Sequence, residues 1–103
     1  GAEYHGYTAD ITRTIPVSGK FSPEQKQIYE LVLRAQEAGM KICKPGVTFQ
    51  QLTQATRQVV NKGLKDLGIA SDADHKYYPH GCCHHIGLDV HDRGPYADLQ
   101  ENM

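Results

Sequence analysis

The sequence predicts an α/β or α+β fold in which two helices lie between two strands. Two observations predict it: an alternating, partly β-branched segment near each end of the chain, and two amphipathic helical stripes between them. A chain of 103 residues has room for one small domain or for part of a larger one. We therefore expect a single partial domain over residues 1–103, in the order strand, helix, helix, strand.

The first predicted strand covers residues 7–17, in which apolar and polar side chains alternate. The polar face carries the carboxylate of Asp10 together with Thr12 and Thr14. The opposite face carries Ile11, Arg13, Ile15 and Val17. A strand of this kind is half buried and presents Asp10 at a rigid position.

The two predicted helices begin with the same signature. Ser22 with Gln25 and Thr48 with Gln51 each form a capping box, in which the first side chain accepts from the backbone three residues later. The first stripe contains Ile28, Leu31, Val32, Ala35, Ala38 and Ile42, and the second Leu52, Ala55, Val59, Leu64 and Leu67. Gly68 is typical of the residue after a helix C-cap, whereas Gly63 is a mild weakness within the second helix.

The second predicted strand, IGLDVHD, covers residues 86–92 and again alternates. Ile86, Leu88 and Val90 share one face, and Asp89 and His91 share the other. We expect the two helices to cover one face of the sheet that both strands join.

Composition excludes several classes of function. The net charge is −1 and the 11 basic residues are scattered, so we expect neither nucleic acid nor a membrane surface as a partner. Three cysteines, of which Cys82 and Cys83 are adjacent, do not form a disulfide framework and indicate a reducing, cytoplasmic compartment. Cys43, at a helix end, is expected to be a small buried residue.

Histidine is the unusual residue, because four of the six histidines fall between His80 and His91. Carboxylate and imidazole together form the ligand set for Zn, Mn, Co or Fe, so Asp10 and this cluster are candidate metal ligands. A solvated Asp10 and structurally hydrogen-bonded histidines are the alternative. A zinc module built on Cys82 and Cys83 is a further one, although adjacent cysteines seldom reach one tetrahedral ion together.

Both segments resemble a known family. GAEYHGYTADITRTIPVSGKFSPEQKQIY is similar to the metal-ligand hairpin and following helix of the pita-bread metallopeptidases, and HGCCHHIGLDVHDRG is similar to their histidine segment. The second motif resembles the form found in Xaa-Pro aminopeptidases and Xaa-Pro dipeptidases. The resemblance implies a partial creatinase/aminopeptidase-like (pita-bread) fold, with this chain in the central part of the catalytic domain.

The resemblance also implies residue roles. Asp10 would be an aspartate that bridges two metal ions, and His84 the single histidine ligand. His80 and His91 would be catalytic histidines that line the substrate pocket, with His91 near the scissile carbonyl. Thr12 would hold a ligand carboxylate in place.

The implied cofactor is a pair of divalent ions, manganese foremost, with cobalt or zinc as alternatives. The implied substrate is a peptide with proline at P1′, and the protein is a possible homo-oligomer. The family site also uses a further aspartate, expected just before Gly1, and two glutamates, expected beyond Met103. The isolated chain is therefore expected to bind metal poorly and to be inactive. A pita-bread module that binds peptides or proteins without catalysis is the alternative function.

Overall fold

The computed structural model describes residues 1–69 and 77–92. Regular secondary structure runs in the order β1 (Glu3–Tyr4), β2 (Tyr7–Thr8), α1 (Pro23–Ile42) and α2 (Phe49–Asp66). The two predicted helices are confirmed, and the strands are shorter than the alternation indicated.

The two strands form a tight antiparallel hairpin. Tyr4 pairs with Tyr7 across a turn made by His5 and Gly6. Both turn residues have positive φ, 51° and 84°, as a two-residue type I′ turn requires. The turn therefore reverses the chain sharply and directs the residues after Thr8 back alongside the start of the chain.

Both helices begin at the predicted capping boxes. In α1 the Gln25 N–H donates to Ser22 Oγ at 3.2 Å, and the Ser22 N–H donates to Gln25 Oε1 at 2.9 Å. The same reciprocal pair joins Thr48 and Gln51 at the start of α2, at 3.1 and 2.9 Å. Each box satisfies two backbone N–H groups that an uncapped helix would leave without partners.

The end of α2 is a Schellman motif. Gly68, with φ of 72°, donates its N–H to the Lys65 carbonyl at 3.0 Å, and the Ile69 N–H donates to the Leu64 carbonyl at 2.9 Å. The prediction that Gly68 follows the C-cap is confirmed. The left-handed conformation explains why glycine stands there.

The buried core lies between the two helices. Leu31 is 1% exposed and is surrounded by the second helix, while Ala35, Leu52 and Leu64 are also buried. A Cβ at Gly63 would collide with the Leu31 side chain. Gly63 therefore permits close helix packing, in addition to its low helix propensity.

Three sequence predictions about burial are wrong. Val32 is 56% exposed rather than part of the buried stripe, because the interhelical contact follows Leu31 and Ala35 towards Gly39. Leu67 is exposed at the C-cap of α2. Cys43 is exposed at the C-cap of α1, beyond the last buried residue of that helix, Gly39.

The two long strands are also not formed as predicted. Residues 9–16 have no regular secondary structure, and residues 86–92 form a series of bends with one isolated bridge between His85 and Asp92. A strand needs hydrogen bonds to a neighbouring strand. Within residues 1–69 and 77–92 the only ladder is β1 with β2, so the two helices pack on each other and do not cover a sheet.

Neither of the helices described is long and apolar enough to cross a membrane.

Candidate metal centre

The side chain of Asp10 meets two histidines from the other end of the chain, His84 and His91, at one point. His84 Nε2 lies 3.1 Å from Asp10 Oδ2, and His91 Nε2 lies 3.4 Å from the same oxygen. The three ligand atoms all lie within 4.8 Å of one another, and the two imidazole rings are 4.6 Å apart between centroids. We call Asp10, His84 and His91 the site triad.

The hydrogen bond on the other side of the His84 ring decides which nitrogen faces Asp10. His84 Nδ1 lies 2.8 Å from the carbonyl oxygen of His85, and a carbonyl can only accept, so Nδ1 carries the proton. In the neutral ring Nε2 is then a bare acceptor aimed at a carboxylate oxygen. Two acceptors at 3.1 Å repel each other unless a proton or a cation lies near them.

The protonated form of His84 is one solution of this conflict. The pKa of His84 is raised, first by the hydrogen bond to the His85 carbonyl and then by the hydrogen bond and charge of Asp10, while desolvation opposes the rise. When the ring is protonated, its Nε2–H can donate to the carboxylate of Asp10.

A divalent cation is the other solution, and the donor set fits one. A carboxylate with imidazoles suits Mn, Co, Zn or Fe. A ligating histidine normally donates its second ring N–H to a carbonyl or carboxylate, which is the arrangement that His84 has with His85. Among residues 1–69 and 77–92, the site triad is the one group of at least three potential ligands that converges, and it contains no cysteine. The geometry therefore gives no support to a zinc module on Cys82 and Cys83.

Exposure separates the members of the site triad. The side chains of Asp10 and His84 are 35% and 29% exposed, whereas that of His91 is 74% exposed. His91 thus lies at the solvent-exposed side of the site triad.

One face of α2 positions the histidine segment. Tyr78 Oη lies 3.1 Å from Thr56 Oγ1, and one turn earlier the Thr53 hydroxyl contacts both the N–H and the sulfur of Cys82 at 3.5 Å. One further turn towards the start of α2, Phe49 packs against His85, whose ring centroid is 4.8 Å away. The segment therefore runs antiparallel to the helix, held about once per turn.

Arg57 adds a fourth contact on the same side of α2. Its Nη2 donates to the His80 carbonyl at 3.1 Å, and its guanidinium lies over the Tyr78 ring, 5.6 Å from the centroid. Partial burial is the main cause that raises the pKa of Tyr78, so this hydroxyl stays protonated near neutral pH and can donate to Thr56. We call these contacts from Phe49, Thr53, Thr56 and Arg57 the brace. The brace holds the backbone that carries the histidines against α2.

The hairpin supplies the other half of the site. The backbone N–H and the hydroxyl of Thr8 both donate to the Gly87 carbonyl, at 2.9 and 3.2 Å. A Cβ at Gly87 would collide with the carboxylate of Asp92, which also accepts from the Asp89 N–H at 3.2 Å. Thr8 thus ties β2 to the histidine segment and brings Asp10, two residues later, to His84.

An open cleft of about 470 Å³ lies beside the site triad. Its lining combines residues of β2, of the histidine segment and of the bends that follow: Thr8, Ala9, Asp10, Cys82, Cys83, His84, Ile86 and Val90. This volume falls in the range of small-molecule sites, and the lining is apolar with a few polar groups.

The remaining predicted site residues lie outside the site triad. His80 is exposed, its Nδ1 lies 2.7 Å from the Gly81 carbonyl, and its ring packs edge-on against Tyr78. Thr12 is exposed, and its carbonyl, rather than its hydroxyl, accepts from Arg13 Nη1 at 2.8 Å. Their roles remain predictions. Sequence reasoning missed Thr8 and Arg57. The helical spacing of Thr53, Thr56 and Arg57 on α2 is a signal that could have pointed to Arg57, whereas Thr8 has no comparable signal.

The comparisons with known proteins agree with this geometry. The model of metallopeptidase family M24 matches residues 1–103. A Xaa-Pro aminopeptidase of Haemophilus influenzae is 44% identical over 112 residues, which cover 100% of this chain and 26% of the relative. A Xaa-Pro aminopeptidase of Escherichia coli is 40% identical over 106 residues, which cover 94% of this chain and 24% of the relative. The chain therefore spans about a quarter of the length of the curated relatives it matches.

A solved structure shows the same fold. The aminopeptidase PepP of Pseudomonas aeruginosa is 44% identical, with a TM-score of 0.79, and the match covers 91% of this chain and 23% of that one. The fold class predicted from the sequence, a part of the pita-bread fold, is thereby confirmed.

Proposed function

Because the chain belongs to metallopeptidase family M24, we propose that the protein that carries it is an exopeptidase that hydrolyses Xaa-Pro peptide bonds with two divalent metal ions. The convergence of the site triad carries this proposal. A carboxylate and an imidazole face each other as two acceptors at 3.1 Å, which is a stable arrangement when a cation or a proton joins them.

In this proposal Asp10 and His84 hold metal. A carboxylate has two oxygens and can bridge two cations, whereas the single free nitrogen of an imidazole binds one. When bound, such a pair of ions supplies Lewis-acid activation of the carbonyl and of the attacking water. Manganese is the ion we propose first, with cobalt and zinc as competitors in the same experiment.

The other two histidines act on substrate. In this proposal His91 donates a hydrogen bond to the carbonyl oxygen as negative charge develops there. Its exposure at the edge of the site triad supports this role. His80 uses Nδ1 towards Gly81, which leaves its Nε2 for the substrate. In this proposal Thr12 supports a ligand carboxylate.

The described donor set is too small for two ions. One carboxylate with imidazoles leaves most of the charge of two divalent cations without compensation, so further carboxylates must come from other parts of the full-length protein. We propose that the 103-residue chain alone is inactive and binds metal weakly. A calorimetric titration that found two ions bound with submicromolar affinity would contradict this statement.

The relatives, which are Xaa-Pro aminopeptidases, support the proposed substrate class. An Xaa-Pro bond is a tertiary amide without an N–H, so the site must accept a proline ring on the leaving side without a backbone donor. We further propose a reducing, cytoplasmic location, in keeping with the free thiols of Cys43, Cys82 and Cys83. We also propose that the full-length protein forms a homo-oligomer, which a measurement of its mass in solution tests.

The test compares two peptides in the full-length protein, one with an Xaa-Pro bond and one with the matched Xaa-Ala bond. We expect cleavage of the Xaa-Pro peptide alone, loss of cleavage in chelator and recovery with added Mn²⁺. The variant His84→Ala should reduce the rate by at least about a hundredfold. Loss of a residue that only supports a metal ligand already reduces activity by up to about a hundredfold, and loss of the ligand itself should cost at least as much. His5→Asn, at an exposed turn, is the control and should leave the rate unchanged.

Two outcomes contradict the proposal. If His84→Ala keeps the wild-type rate, His84 is not a ligand. If the protein binds Xaa-Pro peptides without cleaving them in any metal, it is a binding module on the same fold.

A further inference from the structure

We infer that Cys82 and Cys83 form a dithiol site that captures trivalent arsenicals, and more generally soft electrophiles that two adjacent thiols bridge. The two sulfur atoms lie 3.5 Å apart, and both cysteines are free thiols. Two thiols at this separation already face the same point in space, so one bridging atom can bind both without rearrangement of the backbone.

A disulfide is the poorer product for this pair. Disulfides usually need Cα atoms at least about 4.4 Å apart, whereas consecutive Cα atoms are about 3.8 Å apart across a trans peptide. An S–S bond between adjacent cysteines is therefore strained, and strained disulfides are easily reduced. A third atom between the sulfurs removes that strain, because it lengthens the bridge.

The surroundings of the pair favour capture. The Thr53 hydroxyl donates a hydrogen bond to the Cys82 sulfur at 3.5 Å and accepts one from the Cys82 backbone N–H. These contacts hold the Cys82 thiol against α2. Cys82 is half buried and Cys83 is exposed, so a ligand reaches the pair from the solvent side. Both cysteines line the cleft that also contains Asp10 and His84.

The chemistry balances without any redox partner. A monosubstituted arsenoxide, R–As=O, condenses with two thiols to give R–As(S–Cys)₂ and one water. Two S–H bonds and the As=O bond break, two As–S bonds form, and both thiol protons leave in the water.

The consequence for catalysis rests on the proposed function. An adduct on Cys82 and Cys83 would occupy the cleft beside Asp10 and His84 and obstruct the approach of a peptide. A small excess of arsenical should therefore inactivate the full-length protein, and a dithiol should restore it.

The experiment uses phenylarsine oxide on the full-length protein, in the presence of millimolar monothiol. Trypsin cleavage after Lys76 and Arg93 releases a peptide of residues 77–93, which carries both thiols and excludes Cys43. We expect one adduct on this peptide, with a mass gain of the arsenoxide minus one water, removed by dithiothreitol. In Cys82→Ser and in Cys83→Ser the affinity should fall on the order of 100-fold or more, since only one bond remains. Cys43→Ser should keep the adduct.

The results separate the two proposals. The dithiol site is overturned if the wild type forms no adduct, or if Cys82→Ser or Cys83→Ser binds the arsenical as tightly as the wild type. Both results hold whatever the peptidase assay shows. In the double variant Cys82→Ala/Cys83→Val the two side chains keep about the same combined volume but carry no thiol. The activity of this variant, checked for helical content by circular dichroism, should be insensitive to arsenical. Adduct formation in a protein without peptidase activity would leave the dithiol site standing and remove only the proposed function.

Discussion

The helical pair, α1 and α2, and the segments that carry the site triad are stabilised by different kinds of contact. We call the latter, residues 1–17 and 77–92, the site segments. α1 and α2 each have a complete capping box, and they bury Leu31, Ala35 and Leu64 against each other. The segments that carry the site triad have one short hairpin, one isolated bridge and many exposed apolar side chains. The exposed ones include Ile11, Ile15, Val17, Ile86, Leu88 and Val90.

This difference shows where the site obtains its geometry. The helices are specified by local signals, whereas the site segments depend on contacts between distant parts of the chain: Thr8 with Gly87, and α2 with residues 78–85. Damage to the helical pair should therefore appear in stability, and damage to the site segments should appear in metal binding and activity.

The largest stability effect is expected at the centre of the helical pair. Leu31→Ala removes the most buried large side chain, so we expect a loss of about 2–5 kcal/mol in the free energy of unfolding. Leu33→Ala, on the exposed side of the same helix, is the matched control and should cost far less. Urea denaturation measures both. Equal losses would mean that the interhelical contact does not stabilise the fold.

A smaller effect with an informative sign is expected at Gly63. Alanine is favoured over glycine in a helix by about 1 kcal/mol. Its Cβ would collide with Leu31, however, and overpacking costs about 1–3 kcal/mol. We expect Gly63→Ala to lower the thermal unfolding midpoint of the wild type but not that of the Leu31→Ala variant, in which the colliding side chain is absent. Stabilisation by the single variant would show that propensity outweighs packing here.

The brace from α2 should matter for the site more than for the fold. Arg57→Lys keeps the charge but loses the planar group that contacts both the His80 carbonyl and the Tyr78 ring. We expect about 0.5–1.5 kcal/mol less protection of residues 77–85 in amide hydrogen exchange, with the helices unchanged. Arg34→Lys on α1 is the control. Uniform loss of protection over both regions would contradict a separate brace.

The smallest effect concerns the pH dependence of the metal-free site. Because the folded-state pKa of His84 is raised, its contribution to stability is fully present below the unfolded-state pKa and is lost as pH rises through the folded-state value. Metal binding has the opposite dependence, since the proton must leave first, so affinity should increase as pH rises through that same value.

Histidine resonances followed by NMR during a pH titration test this sign. We expect the pKa of His84 to lie above the ordinary value of histidine. Asp10→Asn should lower this pKa only in part, because the hydrogen bond to the His85 carbonyl is the larger cause. A pKa of His84 at or below the ordinary value in the wild type would contradict the account.

The sequence predicted the helices well because their signals are local. Ser22 with Gln25, Thr48 with Gln51, and Gly68 each act within a few residues, and all three were confirmed. The strands could not be predicted with equal success, because alternation over residues 7–17 indicates which faces a strand would have, not whether a neighbouring strand pairs with it.

The site was predictable in part for a related reason. Residue type and family resemblance pointed to Asp10, His84 and His91, and the structure brings all three together. The contacts that hold them there, from Thr8 to Gly87 and from Arg57 to His80, join residues far apart in sequence. No spacing rule reveals such pairs in a single sequence.

The central claim is that Asp10 holds a divalent metal ion together with His84. The most direct measurement is the metal content of the full-length protein after incubation with Mn²⁺ and gel filtration, in the wild type and in two isosteric variants. Asp10→Asn should lose bound metal, whereas Asp66→Asn, the same change at the exposed end of α2, should retain it. Wild-type metal content in Asp10→Asn would contradict the account.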